Sequence, residues 1–406
     1  MRRTLADFSL TELEQQLAAW GEKPSHAAGI LRAYYRGESL GDGGRTGAGC
    51  GESGRGDREK GGVRGAKDGG GSESGGGESR GGGRSEAERA GGPRSHRDAL
   101  PAAVRGRIVE WAQPAVSLSM RQVSSDGTAK LLLRLADDRT VETVLMPGFR
   151  DDRAAGCLSS QVGCAMRCDF CATTKNGFDR NLTAGEIVEQ FVALRREADS
   201  AGRRLQTVVF MGMGEPMLNL DAVLEAIRRI ADNRIGGLGW RQITVSTVGI
   251  VPGIEALTAS GLNVNLAVSL HAPDDETRVR LLPTGRGFRI AEILAAADRF
   301  QAARGGRPVT IQYCLLHGVN DSVEQARTLA AVLGGRRMHV NLLHYNPTGM
   351  SLQGRTYQPS PDDTAAAFAT ELRTRGVVAH FRRSRGPDID AACGQLRERA
   401  RVGIGS

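Results

Sequence analysis

Residues 162–173 read VGCAMRCDFCAT, with cysteines at 164, 168 and 171 and no fourth beside them. A structural zinc site is closed by four protein ligands, and an iron–sulfur cluster held by cysteine alone also takes four. Three thiolates on one short loop can hold three irons of a [4Fe-4S] cube and leave the last iron open to a small ligand. Zinc is the alternative, with Cys157 or His271 as its fourth ligand. Spacing favours the cluster.

Outward from this loop the chain alternates strand and helix. β-favouring runs stand at CLSSQV (157–162), LQTVVFMG (205–212), RQITVSTVG (241–249), LNVNLAVSLH (262–271), PVTIQYCLL (308–316) and MHVNLLHYN (338–346). VVAHFRR (377–383) reads as a seventh strand or a strand-like tail. Helical patterns such as AGEIVEQFVALRRE, LDAVLEAIRRIAD and RIAEILAAADRF lie between them. The alternation predicts an α/β fold with a parallel sheet, either doubly wound or a partial barrel. Polar residues recur just past the strand ends: MGMGEP after VVF, Ser246 after ITV, Ser269 and His271 in LAVSLH, and Asn346 after LLHY. Parallel α/β folds build their sites there, so these positions are candidates to line one pocket. A serine or asparagine capping the next helix is the commoner explanation at any single position. Recurrence after successive strands carries the functional reading.

The N-terminal third has other periods. Residues 5–36 read as helical, with Asp7 or Ser9 as cap, Leu10, Leu13 and Leu17 on one face, and Ile30, Leu31 and Tyr34 opening a second stripe. Residues 41–92 hold 22 of the 55 glycines and almost nothing large and apolar, which predicts a disordered insertion. Cys50 lies within it and is given no role. The helical pattern resumes from His96 through LPAAVRGRIVEWA. Residues 115–146 then read as a small antiparallel sheet with tight turns at SSDG and ADD.

A chain of 406 residues has length for two or three domains. Its 54 basic and 46 acidic residues give a net charge of +8, which favours an anionic partner such as nucleic acid. Only five of the basic residues are lysine, so an Arg-rich composition explains the excess equally well. MRRTLADFSLTELEQQL has no apolar leader core, and no run is long enough to span a membrane. A soluble cytoplasmic protein is expected, its cysteines thiols or metal ligands rather than structural disulfides. An open iron beside the Gly-Glu turn would suit S-adenosylmethionine (SAM), with Glu215 and the backbone of Gly212 to Gly214 gripping its ammonium.

CAMRCDFC fits the C-x3-C-x2-C loop of radical SAM enzymes. The wider text, VETVLMP, CLSSQVGCAMRCDFC, MGMGEP, VSTVG, SLHAP, HVNLLHYNP and DIDAACGQL, closely resembles the RlmN/Cfr family of radical SAM RNA methyltransferases. The resemblance covers nearly the whole chain except the Gly-rich insertion. It implies an α/β fold: a six-stranded partial (βα) barrel of the radical SAM type, with a small N-terminal helical domain and a short β extension. The layout expected is a helical domain over 1–112 interrupted at 41–92, a β-rich connecting segment over 113–150, the barrel over 151–396 and a tail over 397–406.

The resemblance also implies the chemistry. Carbon 2 of adenine is electron-poor and will not attack the SAM sulfonium. Cys393 would take a methyl group from one SAM, and a 5′-deoxyadenosyl radical from a second, bound at the cluster, would activate that methyl for addition to adenine C2. Glu142 would remove a proton from the adduct. Cys157 would release the product through a transient disulfide with Cys393. Cys164, Cys168 and Cys171 would hold the cluster, and Gly214, Glu215, Ser246, Ser269, His271 and Asn346 would contact the cofactor. The partners implied are ribosomal RNA and tRNA and an electron donor such as flavodoxin or ferredoxin, with no membrane and a monomeric enzyme. Cys314 reads as a core residue.

Two stretches depart from the family pattern. LLPTGRGF (281–288) stands where a Pro-Ile-Asn stretch is usual, and RGPDID (385–390) replaces Arg-Gly-Asp-Asp-Ile. The first puts the RNA target in question. Methylation at carbon 8, and another radical SAM reaction, stay open as alternatives. A zinc-bearing RNA-binding module would contain neither iron nor sulfide.

Overall fold

Local capping decides where the chain begins to fold. Ser9 caps helix α1 (Leu10–Ala19) in a capping box: its hydroxyl accepts from Glu12 N at 3.2 Å, while Glu12 Oε2 accepts from Ser9 N at 2.7 Å. Asp7 instead closes a 3₁₀ turn, its carboxylate accepting from Thr4 N at 2.8 Å. The chain breaks after Trp20 at Gly21, whose φ of 79° suits a residue without a Cβ. Helix α2 (His26–Tyr35) follows, so the expected helical stretch is two helices that bury Leu13, Leu17, Ile30 and Leu31. The computed structural model describes residues 3–38, 40 and 102–396; the Gly-rich insertion, Cys50 and the tail 397–406 lie outside the described residues. Helix α3 is Ala102–Trp111.

Strands β1 (Ser117–Val123), β2 (Ala129–Arg134) and β3 (Thr140–Pro147) form an antiparallel meander. Its turns fall at SSDG and ADD: Ser124 N donates to Thr128 O at 2.8 Å, and Leu135 N to Arg139 O at 2.7 Å. Strand β4 (Arg153–Cys157) runs antiparallel to β3 and parallel to the next long strand, joining the meander to the parallel sheet. This corrects the expected position of the first strand. Cys157 ends a strand rather than beginning one, because RAAGC, poor in β-branched residues, makes the pairing. Past Cys157 the chain passes to a separate two-stranded sheet, β5 (Gln161–Gly163) with β6 (Phe178–Asn181), whose ends bracket the cysteine loop.

The rest is strand–helix alternation: α4 (Ala184–Ser200), β7 (Arg204–Phe210), α5 (Leu220–Ala231), β8 (Ile243–Thr247), α6 (Val251–Ala259), β9 (Asn265–Ser269), α7 (Asp275–Leu281), α8 (Ile290–Ala303), β10 (Val309–Leu315), α9 (Val323–Leu333), β11 (Met338–His344), α10 (Asp362–Thr374) and β12 (Val378–Arg382). The large sheet has the order β1-β2-β3-β4-β7-β8-β9-β10-β11-β12, and every pairing from β4 onward is parallel. VVAHFRR is thus a true seventh parallel strand, paired with β11. Val245, Leu266, Val268, Ile311, Val340 and Leu342 are buried, as strands covered by helices must be. No helix among the described residues is long and apolar enough to cross a membrane.

Candidate active site

Parallel strands leave their C-terminal ends as loops on one side, and there a cavity encloses about 1020 Å³ including its solvent-open mouth. Cys164, Cys168 and Cys171 line it together with Gly214, Glu215, Ser246, Ser269, His271 and Cys393. The cysteine loop is pinned from several sides. Cys164 N donates to Gly177 O at 2.8 Å and Asp169 N to Leu281 O at 2.8 Å. Asp169 accepts from Tyr357 Oη at 2.7 Å and from Gln353 N at 3.1 Å. Thr284 Oγ1 donates to Met166 O at 2.9 Å, so the departing stretch LLPTGRGF braces the cysteine loop itself. Arg167, with φ 54°, supplies the left-handed turn between the first two thiols.

Burial, with smaller contributions from the charges of Cys171 and Glu215, pushes the Cys164 thiol up to about 12. Burial and the neighbouring thiols likewise raise Cys168 well above the ordinary range. Three such thiols become thiolates together only around a compensating positive group, which is the chemistry of a cluster site. Among the described residues no three His, Cys, Asp or Glu side chains are gathered closely enough for a single bare ion. The fit to a cluster therefore rests on the loop spacing, the shared cavity and the donor set.

Beside the thiols, MGMGEP meets the start of β5, Gln161 N donating to Met213 O at 3.2 Å. Glu215 is 2% exposed; its Oε1 accepts from Met217 N at 3.0 Å and its Oε2 from Val248 N at 2.8 Å. Burial pushes its carboxyl up to about 7, against the pull of those two N–H groups. A cationic ammonium in the cavity would complete it. Gly214 has φ 96°, and a Cβ there would lie 2.5 Å from Gln161 Cβ, whose Oε1 accepts from Glu215 N at 2.9 Å. Gly214→Ala should therefore combine about 1–3 kcal/mol of backbone strain with a clash that displaces Glu215. The expected result is SAM binding weakened at least about tenfold, the equivalent of 1.4 kcal/mol, with iron content unchanged. Equilibrium dialysis with labelled SAM measures it.

His271 adopts a left-handed φ of 56° at the end of β9 and packs edge-on against Phe170, ring centroids 5.0 Å apart. Its Nδ1 accepts from Cys314 N at 3.0 Å. Burial, then the Arg278 charge, pull the imidazole down to about 3. A neutral ring with Nδ1 accepting carries its proton on Nε2, a donor for a ligand in the cavity. Ser246 and Ser269, on adjacent strands, bring their hydroxyls within 3.5 Å. Asn346 follows Tyr345 beyond β11 and is not among the residues lining the cavity.

Cys393 arrives from the far end of the chain. Its loop is tied to the cysteine loop, Ala172 N donating to Gly394 O at 2.7 Å and Thr173 Oγ1 to Leu396 O at 2.7 Å. On the other side it is tied to the meander, Ser124 Oγ donating to Asp388 Oδ1 at 2.5 Å. Cys393 is an exposed residue among those lining the cavity, yet its surroundings displace enough water to raise the thiol's pKa, while Arg382 pulls it back. Cys157 is buried and does not line the cavity; burial, and to a smaller extent a charge on Cys393, push its thiol up. All six described cysteines are free, so the disulfide implied between Cys157 and Cys393 is not a feature of this structure. Glu142 lies outside the cavity lining, buried on β3 against Lys130 at 3.2 Å.

Sequence reasoning missed Arg278, 1% exposed, which gathers the strand ends beneath the site. Its Nη1 donates to Leu270 O at 2.8 Å and to Ser269 O at 3.2 Å, and its Nη2 to Val248 O. It missed Ser159 as well, whose hydroxyl donates to Glu142 O at 2.6 Å and accepts from Met213 N at 2.8 Å, joining β3 to the glycine turn. Neither carries a local signal. An arginine in DETRVRL reads as a helix-surface charge, and a serine in SSQ reads as a loop residue.

Comparison with known proteins agrees with this geometry. Residues 158–330 match the pattern of the Radical SAM superfamily. The chain is 62% identical over 398 residues to a probable dual-specificity RNA methyltransferase RlmN 1 of Opitutus terrae, covering 98% of this chain and 97% of that protein. It is 48% identical over 274 residues to a probable dual-specificity RNA methyltransferase RlmN of Symbiobacterium thermophilum, covering 68% and 72% of the two chains. The crystal structure of a radical SAM methyltransferase from Sphaerobacter thermophilus superposes with a TM-score of 0.78 at 37% identity, covering 98% of this chain and 99% of that one.

Proposed function

We propose, from the premise that this chain belongs to the RlmN family of dual-specificity RNA methyltransferases within the radical SAM superfamily, that it methylates carbon 2 of adenosine in RNA through a methyl-cysteine intermediate. The observation that carries the reading is Cys393, a distant thiol brought into the cavity of the cysteine loop and tied to that loop by one backbone and one side-chain hydrogen bond. Cys164, Cys168 and Cys171 would hold a [4Fe-4S] cluster, and Gly214, Glu215, Ser246, Ser269 and His271 would hold SAM; Asn346, outside the cavity lining, is added by the family resemblance alone. When bound, these groups supply the methyl carbon and the hydrogen-abstracting power that an unreactive ring carbon demands.

The chain's own residues do the rest. Cys393, open at the mouth, carries the carbon that becomes bonded to the ring. Glu142 takes the proton from C2 of the adduct. The Cys157 thiol then forms an S–S bond to Cys393 as the S–C bond breaks; its proton goes to the departing carbon and completes the methyl group, and the adduct's unpaired electron passes to the one-electron carrier. Cys157 lies outside the cavity lining, which stops it competing with Cys393 for the methyl group. The target adenine must be flipped out to reach such a cavity. Arg382 and Arg383, exposed at the end of β12, are placed to meet phosphates beside Cys393. A one-electron donor of the flavodoxin or ferredoxin type and cytoplasmic work on ribosomal RNA and tRNA complete the reading.

Mass spectrometry of nucleosides tests it. RNA from a strain lacking the gene should lose 2-methyladenosine, and restoring the gene should bring it back. Appearance of 8-methyladenosine instead would move the reaction to the other ring carbon, and no change in either would sink the reading.

A further inference from the structure

Lys130 is one of five lysines in the chain, and its side chain is only 8% exposed. In the β2–β3 register Lys130 faces Val144 and Leu132 faces Glu142, so Lys130 and Glu142 are diagonal neighbours on one face of the sheet. Val144 in turn faces Cys157 on β4, which puts Cys157 on that same face. The ammonium meets Glu142 Oε1 at 3.2 Å and donates to the Asp390 carbonyl at 3.4 Å. Asp390, in a left-handed conformation at φ 53°, lies three residues before Cys393. One buried cation therefore touches the β3 carboxylate and the backbone leading to the thiol at the cavity mouth.

A buried ammonium is costly to desolvate, and a buried ion pair adds little stability over an apolar pair of similar volume. Stability alone gives a weak reason for this arrangement. We propose that Lys130 is a positioning residue for methyl transfer: it holds the Glu142 carboxylate in place and clamps the Asp390 backbone, setting the base and the Cys393 loop in register through one ammonium. The inference rests on Glu142 acting as the base in the proposed reaction. Lys130 itself touches neither substrate nor cofactor. Arginine preserves the charge and offers several N–H donors; methionine preserves only the length.

The test uses the full-length, cluster-loaded enzyme in wild-type, K130M, K130R and E142Q forms. K130M should keep its iron, accept a methyl group on Cys393 and form the covalent RNA adduct, then release methylated RNA about 100-fold more slowly, the low end of what a positioned general base contributes. E142Q should stall at the same adduct, and K130R should recover most of the release rate. In cluster-free protein, peptide-level alkylation of Cys393 should be several-fold faster in K130M than in wild type or K130R, because the loop has lost its clamp. Wild-type release by K130M, with stalling by E142Q, overturns the role of Lys130 alone. Wild-type release by E142Q overturns Glu142 as the base, and this inference with it. If K130M does not fold, K130Q replaces it; loss of iron in both assigns Lys130 to the fold and overturns the proposal.

Discussion

Alanine in place of Cys164, Cys168 or Cys171 should each remove the iron and abolish reductive cleavage of SAM, with the protein still soluble. Each thiol has its own iron in the proposed site, and losing one of three protein ligands opens the cube to solvent. The other thiols lining the cavity are Cys314 and Cys393. Cys314 is buried on β10, where its own N–H is committed to His271, and Cys393 is held on a loop fixed to Ala172 and Thr173. Neither is free to swing into the vacated position. The fold should survive, because the loop is braced by Asp169, Thr284 and Tyr357 rather than by the cysteines. Iron and acid-labile sulfide per chain, measured anaerobically, check it. Full iron content in any one variant would contradict the assignment of that ligand.

The site was legible where its signal is local and obscure where it depends on register. C-x3-C-x2-C places three thiols on one loop whatever the rest of the chain does, and those residues line the cavity together. The turns at SSDG and ADD were equally readable, since turn chemistry is written in adjacent residues. Cys157 was placed at the head of a strand because SSQV looked extended, whereas the pairing partner of β7 is the unpromising RAAGC. The pairing of Lys130 with Glu142 was invisible: it follows from the β2–β3 register, which brings diagonal residues together, and KLLLRL says nothing of what lies beside its lysine. Arg278 was passed over because helix periodicity cannot tell that one turn of a helix is buried beneath two strand ends. The resemblance named Glu142, Cys157 and Asn346, yet the cavity walls include none of them. Glu142 and Cys157 approach from the neighbouring sheet face, through contacts far apart in the chain.

The two separated thiols carry the central claim. Cys393→Ala should keep the cluster and transfer nothing to RNA, since no other thiol stands at the cavity mouth to carry the carbon. Cys157→Ala should behave differently. Cys393 should still accept its methyl group and still join it to adenine, but the thiol assigned to free the product is then missing. Two cysteines that merely fill space would give small destabilisation in both variants, on the order of 1 kcal/mol, and normal turnover. The decisive measurement is a denaturing gel of Cys157→Ala after anaerobic reaction with RNA. The account predicts a shifted band, joined through Cys393, that survives denaturation and collapses on nuclease treatment. Free methylated RNA with no shifted band, or product from Cys393→Ala, would contradict it.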